Sequence, residues 1–292
     1  MPELPDITVY IEALAARIVG EPISGLRIVN PFVLRSVEPR IDRLIGSRVT
    51  GLRRMGKRIV VEVEGDLFLV IHLMIAGRLR WRPPDGKVAG PAPLARFEFP
   101  RGVLVLTEAG KQRRASLHLV EGERNLAQFD RGGLEVMDAS RTDFAARLRM
   151  ENHTLKRALT DPRLFSGIGN AYSDEILHRA RLSPLLLTSR VTDEQSAALH
   201  AAVREVLTDW TERLRADSGG EFPEKVTAFR EGMAVHGRFR QPCPVCGAPV
   251  QRVRYADNET NYCARCQTGG RLLADRAMSR LLKDDWPRTL DD

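Results

Sequence analysis

The sequence is poor in lysine, has no long apolar run, and carries no cysteine outside one short region. Only six of its 45 basic residues are lysine. The longest apolar stretch is residues 67–71. A membrane-spanning helix needs about 20 apolar residues, so this stretch is far too short. The first residues are acidic and amphipathic, whereas a signal peptide starts with basic and then apolar residues. We therefore expect a soluble protein of the cytoplasm.

Length and charge narrow the function classes further. A chain of 292 residues is long enough for two domains with cores of ordinary size. Its 45 basic residues against 38 acidic ones give a net charge of +7. Arginine presents a planar fork that matches phosphate, so a nucleic acid is one expected partner. Genome composition also enriches arginine, and charge alone does not decide between these two explanations.

All four cysteines fall in two C-x-x-C pairs, Cys243 with Cys246 and Cys263 with Cys266. Four thiolates at this spacing can close a tetrahedron around Zn²⁺. Two disulfides are the alternative, but they are rare in proteins that carry no secretion signal. The segment between the pairs, residues 250–262, has the pattern of two short strands around a polar turn. The sequence therefore predicts one structural zinc at the base of a β-hairpin.

The rest of the chain divides into a strand-rich half and a helical half. Apolar residues at helical spacing predict a helix over residues 6–17, and short strands then dominate from about residue 23 to 120. Several short strands at this spacing predict a β-sandwich, which we expect to end near residues 130–133. The clearest predicted strands are residues 58–63, 68–71, 96–99 and 103–106.

The helical half has two recognisable helix starts. Thr192 and Gln195 form a capping box ahead of a long amphipathic stretch. In SGIGNAYSDEILHRA, residues 166–180, two glycines and an asparagine precede a helix, where exposed backbone N–H groups can hold a phosphate. Such a glycine pair also makes a simple tight turn. Residues 271–283 predict a short amphipathic helix near the C-terminus.

Three of these motifs, taken together and in this order, resemble one family. They are PELPD at residues 2–6, G-I-G-N-A-Y at residues 167–172, and the hairpin with two C-x-x-C pairs. The chain is similar in them to the formamidopyrimidine-DNA glycosylase/endonuclease VIII family of base-excision repair, from residue 2 to about 267. The resemblance implies an α+β fold with damaged double-stranded DNA bound in a cleft. Its implied parts are a β-sandwich catalytic domain (1–132), a helix–two-turn–helix domain (133–232), a zinc finger (233–270) and a helical extension (271–292).

The resemblance also implies a reaction and its catalytic residues. The chain would be a monomeric, bifunctional DNA glycosylase and abasic-site lyase of the bacterial cytoplasm. With Met1 removed, Pro2 would be the nucleophile, because an α-amine of pKa about 7.7–8.0 holds far more free base at pH 7 than lysine does. Its attack on C1′ of the sugar expels the base and leaves an iminium that promotes phosphate elimination. Glu3 would be the general acid and base, and Lys57, on a strand hairpin, would assist.

Further residues match DNA contacts of the family. Asn170 matches the asparagine that binds phosphate from a helix start, and Lys156 matches a DNA-facing helical lysine. His72 stands beside the loop that fills the gap left by a flipped base. In this chain His72 is equally compatible with a core position on a strand.

The chain departs from the family at three places that touch DNA. The gap-filling loop reads HLMIAG and offers Met74 or Ile75. The second loop, TEAGKQRRASLHL, offers Arg113 or Arg114 but lacks the usual phenylalanine. At the tip of the zinc hairpin, Asn258 stands where the family carries arginine.

These departures bear on the lesion and on alternative functions. The segment 221–238 is also shorter than the loop that caps 8-oxoguanine in the guanine-directed branch. Oxidised pyrimidines or ring-opened bases are therefore the expected substrates. One alternative is a non-catalytic damage-binding protein on the same scaffold. Another is a zinc-ribbon transcription or RNA-binding factor, which leaves PELPD unexplained.

Overall fold

The structure, a computed structural model, describes residues 1–84, 86, 92–109, 113–224, 226, 230–255, 258–274 and 288–290. The chain forms two compact units. Unit 1 contains Met1–Arg131 and Trp210–Thr227, and unit 2 contains Gly132–Asp209 and Ala228–Asp292. Residues 210–227, which the predicted boundaries assign to the helical domain, group with unit 1.

In its described residues, unit 1 contains the helix α1 (Leu4–Ile18) and eight strands. The strands form two antiparallel four-stranded sheets with the orders β1-β6-β7-β5 and β2-β3-β4-β8. All four strands predicted from the pattern are present. The bounds are β1 (Gly25–Ile28), β2 (Val49–Met55), β3 (Arg58–Val63), β4 (Leu67–His72), β5 (Gly77–Arg82), β6 (Pro93–Phe99), β7 (Gly102–Glu108) and β8 (Ser116–Glu121).

The predicted β-sandwich is confirmed by the core of unit 1. Side chains of both sheets and of α1 share one buried cluster, which includes Ile7, Ile59, Ile71, Phe97 and Leu104. A second buried cluster covers the opposite face of the β2-β3-β4-β8 sheet, beneath α2 (Glu123–Leu126). Because β3 and β4 are buried on both faces, their sequences are almost continuously apolar rather than alternating.

A tight hairpin joins β2 to β3 and carries Lys57. Met55 pairs with Arg58, so the turn contains only Gly56 and Lys57. Gly56 has a φ of 60°, the left-handed value that a two-residue turn of this kind requires at its first central position. Glycine adopts it without steric cost.

Unit 2 begins with helices. They are α3 (Arg141–Arg149), α4 (Leu155–Thr160), α5 (Asn170–Arg179) and α6 (Asp193–Ser218), the last of which continues into the residues of unit 1. The predicted capping box is present at the start of α6. Thr192 N donates to Gln195 Oε1 at 3.1 Å, and Gln195 N donates to Thr192 Oγ1 at 3.2 Å.

The predicted β-hairpin between the two cysteine pairs is confirmed as β9 (Val250–Tyr255) and β10 (Asn258–Cys263), followed by the short helix α7 (Ala264–Thr268). The predicted helix over residues 271–283 is wrong at its start. Arg271 instead pairs with Thr289, and Leu272 N donates to Arg288 O at 2.8 Å. Residues 271–274 lie beside this distant segment and are not helical. Residues 275–283 lie outside the described residues.

Among the described residues, no helix combines the length and the apolar character needed to span a bilayer.

Candidate active site and metal centre

The first residues after Met1 are buried and are held by backbone hydrogen bonds. Pro2 is buried, and Glu3 and Asp6 are only 2% and 3% exposed. Glu3 is the N-cap of α1 and forms a capping box with Asp6, in which Glu3 N donates to Asp6 Oδ2 at 2.8 Å. The Glu3 carboxylate in turn accepts from the backbone N–H of Asp6. This reciprocal pair fixes the residue that follows Pro2. Sequence reasoning missed Asp6, although its spacing from Glu3 is that of a capping box.

The surroundings of the N-terminal amine favour its neutral form. Burial lowers the pKa of the Met1 amine below its usual value, and the charges of Arg78 and Lys57 lower it further. The carboxylates of Glu3 and Asp6 act in the opposite direction without reversing the shift. An amine whose pKa lies below its usual value holds more free base at neutral pH and is therefore a better nucleophile.

Lys57 and His72 lie on the same side of unit 1 as this amine. The Lys57 charge influences both the amine and His72, so Lys57 lies within electrostatic reach of each. Burial lowers the pKa of His72 to about 4, helped by Arg58, Lys57 and His118. His72 is consequently neutral at pH 7, and it offers hydrogen bonds rather than charge.

The loop after His72 presents an apolar tip. Ile75 is 58% exposed, whereas Met74 is half-buried. Met74 has a φ of 52°, a left-handed conformation that non-glycine residues adopt rarely and that concentrates at functional sites. Gly77 closes the loop, because a Cβ there would lie 2.3 Å from Leu73 O. Both side chains stay candidates for gap filling, and Ile75 is the more accessible.

Arg78 is a site residue that sequence reasoning missed. It begins β5 directly after the loop, and its Nη1 donates to Gly77 O at 2.7 Å and to Ile75 O at 3.3 Å. Its charge acts on the N-terminal amine. The signal that could have identified it is its position immediately after the HLMIAG loop.

The second predicted loop of unit 1 places two arginines at its end. Arg113 and Arg114 are both exposed, and the preceding residues 110–112 lie outside the described residues. Glu108 holds this end of the loop by accepting from Arg114 N at 3.0 Å and from Ala115 N at 3.2 Å. The two side chains stay predicted DNA contacts.

In unit 2 the start of α5 is joined to the hairpin. Asn170 Nδ2 donates to Glu259 O at 3.0 Å, and Lys156 Nζ donates to Asn170 O at 2.7 Å. Lys156 is only 9% exposed, and its ammonium is also paired with Asp174 at 2.5 Å. The prediction of Lys156 as a DNA-facing cation therefore needs correcting. Its charge is directed into the protein, where Asn170 O and the Asp174 carboxylate of α5 bind the ammonium.

Two buried carboxylates of α5 connect the helix to the zinc-binding part. Asp174, fully buried, accepts from His236 Nδ1 at 2.8 Å and from Asn261 N at 3.1 Å. Glu175 accepts three backbone N–H groups, those of residues 234–236. Burial raises the pKa of Glu175 above its usual value, although these three donors oppose the shift. Sequence reasoning missed both acids, which have the pattern of ordinary solvated charges.

The four cysteines fit a tetrahedral zinc site. Cys243 Sγ lies 3.9 Å from Cys266 Sγ, and Cys246 Sγ lies 3.4 Å from Cys263 Sγ. All four ligand atoms lie within 4.8 Å of one another, and none of the four forms a disulfide. Zn–S bonds of about 2.3 Å arranged tetrahedrally put sulfur atoms about 3.8 Å apart. The spacing therefore suits one Zn²⁺ bound by four thiolates, with no open position.

A buried histidine contacts one of the four cysteine sulfur atoms. His178 Nε2 lies 3.3 Å from Cys243 Sγ and is placed to donate a hydrogen bond to it. Burial lowers the pKa of His178, as do the nearby charges of Arg179 and Arg181. A neutral imidazole N–H that bonds a metal-ligating thiolate fixes its orientation. His178 follows G-I-G-N-A-Y on α5 and was not identified from sequence.

The hairpin tip carries Asn258 in an exposed position, opposite Tyr255. Residues 256–257 lie outside the described residues. Arg252 is partly neutralised by Glu259, 3.6 Å away, and lies 4.1 Å over the Phe239 ring. Arg254 is exposed, which makes it the better placed of the two strand arginines to replace the missing tip charge.

Comparison with known proteins agrees with this arrangement. Residues 1–168 match the model of the formamidopyrimidine-DNA glycosylase N-terminal domain, residues 135–218 that of the formamidopyrimidine-DNA glycosylase H2TH domain, and residues 240–269 that of the zinc finger found in FPG and IleRS. The formamidopyrimidine-DNA glycosylase of Solibacter usitatus is 32% identical over 91% of this chain and 99% of its own. An uncharacterized formamidopyrimidine-DNA glycosylase-like protein of Mycobacterium tuberculosis is 42% identical over 52% of this chain and 94% of its own.

Solved structures show the same architecture. A Lactococcus lactis formamidopyrimidine-DNA glycosylase bound to DNA containing Fapy-dG has a TM-score of 0.81 and 25% identity, covering 91% of this chain and all of that one. The same enzyme bound to DNA containing an oxidised pyrimidine gives the same TM-score, identity and coverage. With the glycosylase domain, the H2TH domain and the zinc finger matched in order, the chain belongs to the formamidopyrimidine-DNA glycosylase family.

Proposed function

We propose that this protein is a bifunctional DNA glycosylase and abasic-site lyase that excises oxidised or ring-opened bases. One observation carries the proposal. The Met1 amine is half-buried near Glu3, Lys57 and Arg78, and its pKa is lowered mainly by burial. It stands next to buried Pro2, whose nitrogen becomes the terminal amine once Met1 is removed. Such an environment suits a nucleophilic amine, and it occurs within a matched glycosylase domain.

Pro2 is the nucleophile once Met1 has been removed. Its secondary amine attacks C1′ of the damaged nucleotide, the C1′–N bond breaks, and the base leaves with a proton. The product is an iminium between Pro2 and the opened sugar, which acidifies the C2′ proton. Loss of that proton expels the 3′ phosphate and cuts the strand.

Glu3 moves the protons in these steps. Its carboxylate is adjacent to Pro2 and is held by the capping box with Asp6. A fixed carboxylate can accept the proton that the Pro2 amine loses on attack and pass it to the ring oxygen as the sugar opens. The carboxylate is then free to accept the C2′ proton as the base. Lys57 provides a positive charge beside the same amine and stabilises negative charge on the phosphate.

Damaged double-stranded DNA is the substrate, and the protein acts on it as a monomer in the bacterial cytoplasm. Exposed Arg113 and Arg114 are proposed phosphate contacts, as is the helix start at Asn170. The Lactococcus lactis relative was solved with both Fapy-dG and oxidised-pyrimidine DNA, which supports either lesion class here. Cys243, Cys246, Cys263 and Cys266 would hold one structural Zn²⁺, which supplies folding energy and no catalysis.

A non-catalytic damage-binding protein is the second candidate, and Asn258 is the observation that favours it. Because asparagine is neutral, the tip lacks the positive charge that an arginine would bring to the phosphates next to the lesion. Retention of buried Pro2 and Glu3, with Lys57 within electrostatic reach of the terminal amine, favours the enzyme instead.

The test is a panel of duplexes that each carry one lesion: 8-oxoguanine, a ring-opened purine, an oxidised pyrimidine or an abasic site. We expect base release and strand cleavage on at least one oxidised base, and borohydride trapping of the protein on abasic DNA. Binding without trapping on any duplex would support the non-catalytic alternative. If the protein neither binds nor cleaves any duplex of the panel, the proposal is contradicted.

A further inference from the structure

Two arginines on the outer face of the β2-β3-β4-β8 sheet differ in their partners. Arg53 lies 5.4 Å over the Phe68 ring and is ion-paired with Glu62 at 2.8 Å and with Glu123. Arg58 lies 5.8 Å over the Phe129 ring, and its Nη1 donates to Phe129 O at 3.1 Å. Within the part of the chain that the structure describes, Arg58 makes no ion pair.

The neighbours of Arg58 are basic rather than acidic. His72 is its direct cross-strand partner, and the ring of His118 lies 4.8 Å from that of Phe129. Burial lowers the pKa of Arg58, and Arg131 lowers it further. After burial, the charge of Arg58 is the largest influence that lowers the pKa of both His72 and His118.

This arrangement is unfavourable unless an anion completes it. A half-buried charge without a counter-ion loses solvation and gains little in return. A guanidinium has five N–H donors, and Arg58 gives one described hydrogen bond to the protein, to Phe129 O. The free donors form the fork that binds phosphate oxygens in pairs.

We propose that Arg58, with His72 and Arg131 beside it, forms a binding site for one backbone phosphodiester of DNA. The inference rests on the proposed function for the identity of the polyanion. Arg58 follows Lys57 directly in the hairpin, and His72 precedes the gap-filling loop. The bound phosphate is therefore close to the reacting nucleotide. Arg58 is a positioning residue for the strand and takes no part in the bond changes.

The experiment compares Arg58→Gln with Arg53→Gln in the full-length protein. Both changes remove a guanidinium that stacks over a phenylalanine on the same sheet face, but Arg53 is already neutralised. Binding is measured on a labelled duplex with a non-cleavable abasic analogue, between about 50 and 200 mM salt. Arg58→Gln should weaken binding about tenfold and reduce the salt slope by about one. Arg53→Gln should change neither.

Two further readouts separate positioning from a structural role. In cleavage of abasic DNA, Arg58→Gln should act through a higher KM rather than a lower kcat, and its thermal midpoint should not fall because the half-buried charge has no counter-ion to lose. Arg58→Lys should keep the salt slope, since it keeps the charge. An unchanged salt slope in Arg58→Gln, or a lower thermal midpoint with normal binding, would overturn the inference. The proposed function fails separately, if the wild type neither binds nor cleaves the duplex panel.

Discussion

Asn170 Nδ2 donates a hydrogen bond to Glu259 O at 3.0 Å, across 89 positions of sequence. The start of α5 and the first residues of β10 are therefore held together. Asn258, at the exposed tip, is the neighbour of Glu259. The helix start and the hairpin tip, both predicted to contact phosphates, consequently keep a fixed separation.

Asn258→Arg should change the products of strand cleavage. An arginine supplies the charge and the donors that asparagine lacks, and a charge-assisted phosphate contact contributes about 1–3 kcal/mol. The first elimination depends on the Pro2 iminium and should be unaffected. The second expels the remaining phosphate and should be faster in the variant. On denaturing gels we expect unsaturated-sugar ends from the wild type and more bare 3′-phosphate from Asn258→Arg.

Arg254 is the matched control for this experiment, because it is the exposed strand arginine nearest the tip. If the wild type already yields mostly 3′-phosphate at early times, Asn258 does not slow the second elimination. Loss of that product in Arg254→Gln would then identify Arg254 as the replacement charge.

Extending the N-terminus should abolish covalent trapping. With Met1 retained, or with another residue added before Pro2, the Pro2 nitrogen is an amide nitrogen that cannot attack C1′. Borohydride should join the mature wild type to abasic DNA, whereas the extended protein and Pro2→Gly should trap far less. Mass spectrometry of the N-terminus is the control, and efficient trapping with Met1 attached would falsify the assignment.

The zinc site should depend on both its ligands and its outer partner. Metal analysis should give about one zinc per chain, and Cys263→Ser should lose both the metal and DNA binding. His178→Gln should keep the metal but release it to a chelator about 10- to 100-fold more readily. His200 is the control, since it is a buried histidine that bonds Ala139 O at 3.0 Å. Equal chelator sensitivity in His178→Gln and His200→Gln would contradict a specific role.

Asp174→Asn should destabilise the protein severely. The change leaves the buried ammonium of Lys156 without its counter-charge, and breaking a buried pair from one side costs about 3–5 kcal/mol. Urea unfolding measures this loss. Asp209→Asn is the control, because Asp209 forms an exposed ion pair with Arg179 at 3.5 Å and should change stability by less than about 0.5 kcal/mol. Equal losses in the two variants would refute a special role for Asp174.

The free energy of unfolding of the wild type should decrease as the pH is lowered from 6.5 to 4, and part of this decrease should be due to His72. Burial lowers the pKa of His72 from 6.5 to about 4, so in this range the unfolded chain binds a proton that the folded chain does not. The contribution of His72 is present above pH 6.5 and is lost as pH falls through 4, by at most about 3 kcal/mol. Thermal midpoints of His72→Gln should vary less with pH than those of the wild type. Parallel pH profiles would contradict this assignment.

The sequence by itself predicted the features that depend on near neighbours. The apolar pattern predicted β3 with the bounds Arg58–Val63 that the structure has. Thr192 and Gln195 identified the start of α6, because a capping box is made within one helical turn. The C-x-x-C spacing predicted the hairpin and its ligand set. These patterns are local, so the chain encodes them without reference to the rest of the fold.

Only the tertiary structure decided how charges are paired. The Lys156 ammonium meets Asp174, 18 positions away, and Asp174 in turn accepts from Asn261 N, 87 positions away. The local sequence does not distinguish Arg53 from Arg58. The fold of the sheet and the position of α2 place Glu62 and Glu123 beside Arg53 alone of the two. Residues 271–274 have a helical pattern, but the segment 288–290 pairs with their backbone. Burial and ion pairing depend on distant segments, and for that reason they cannot be read from a local pattern.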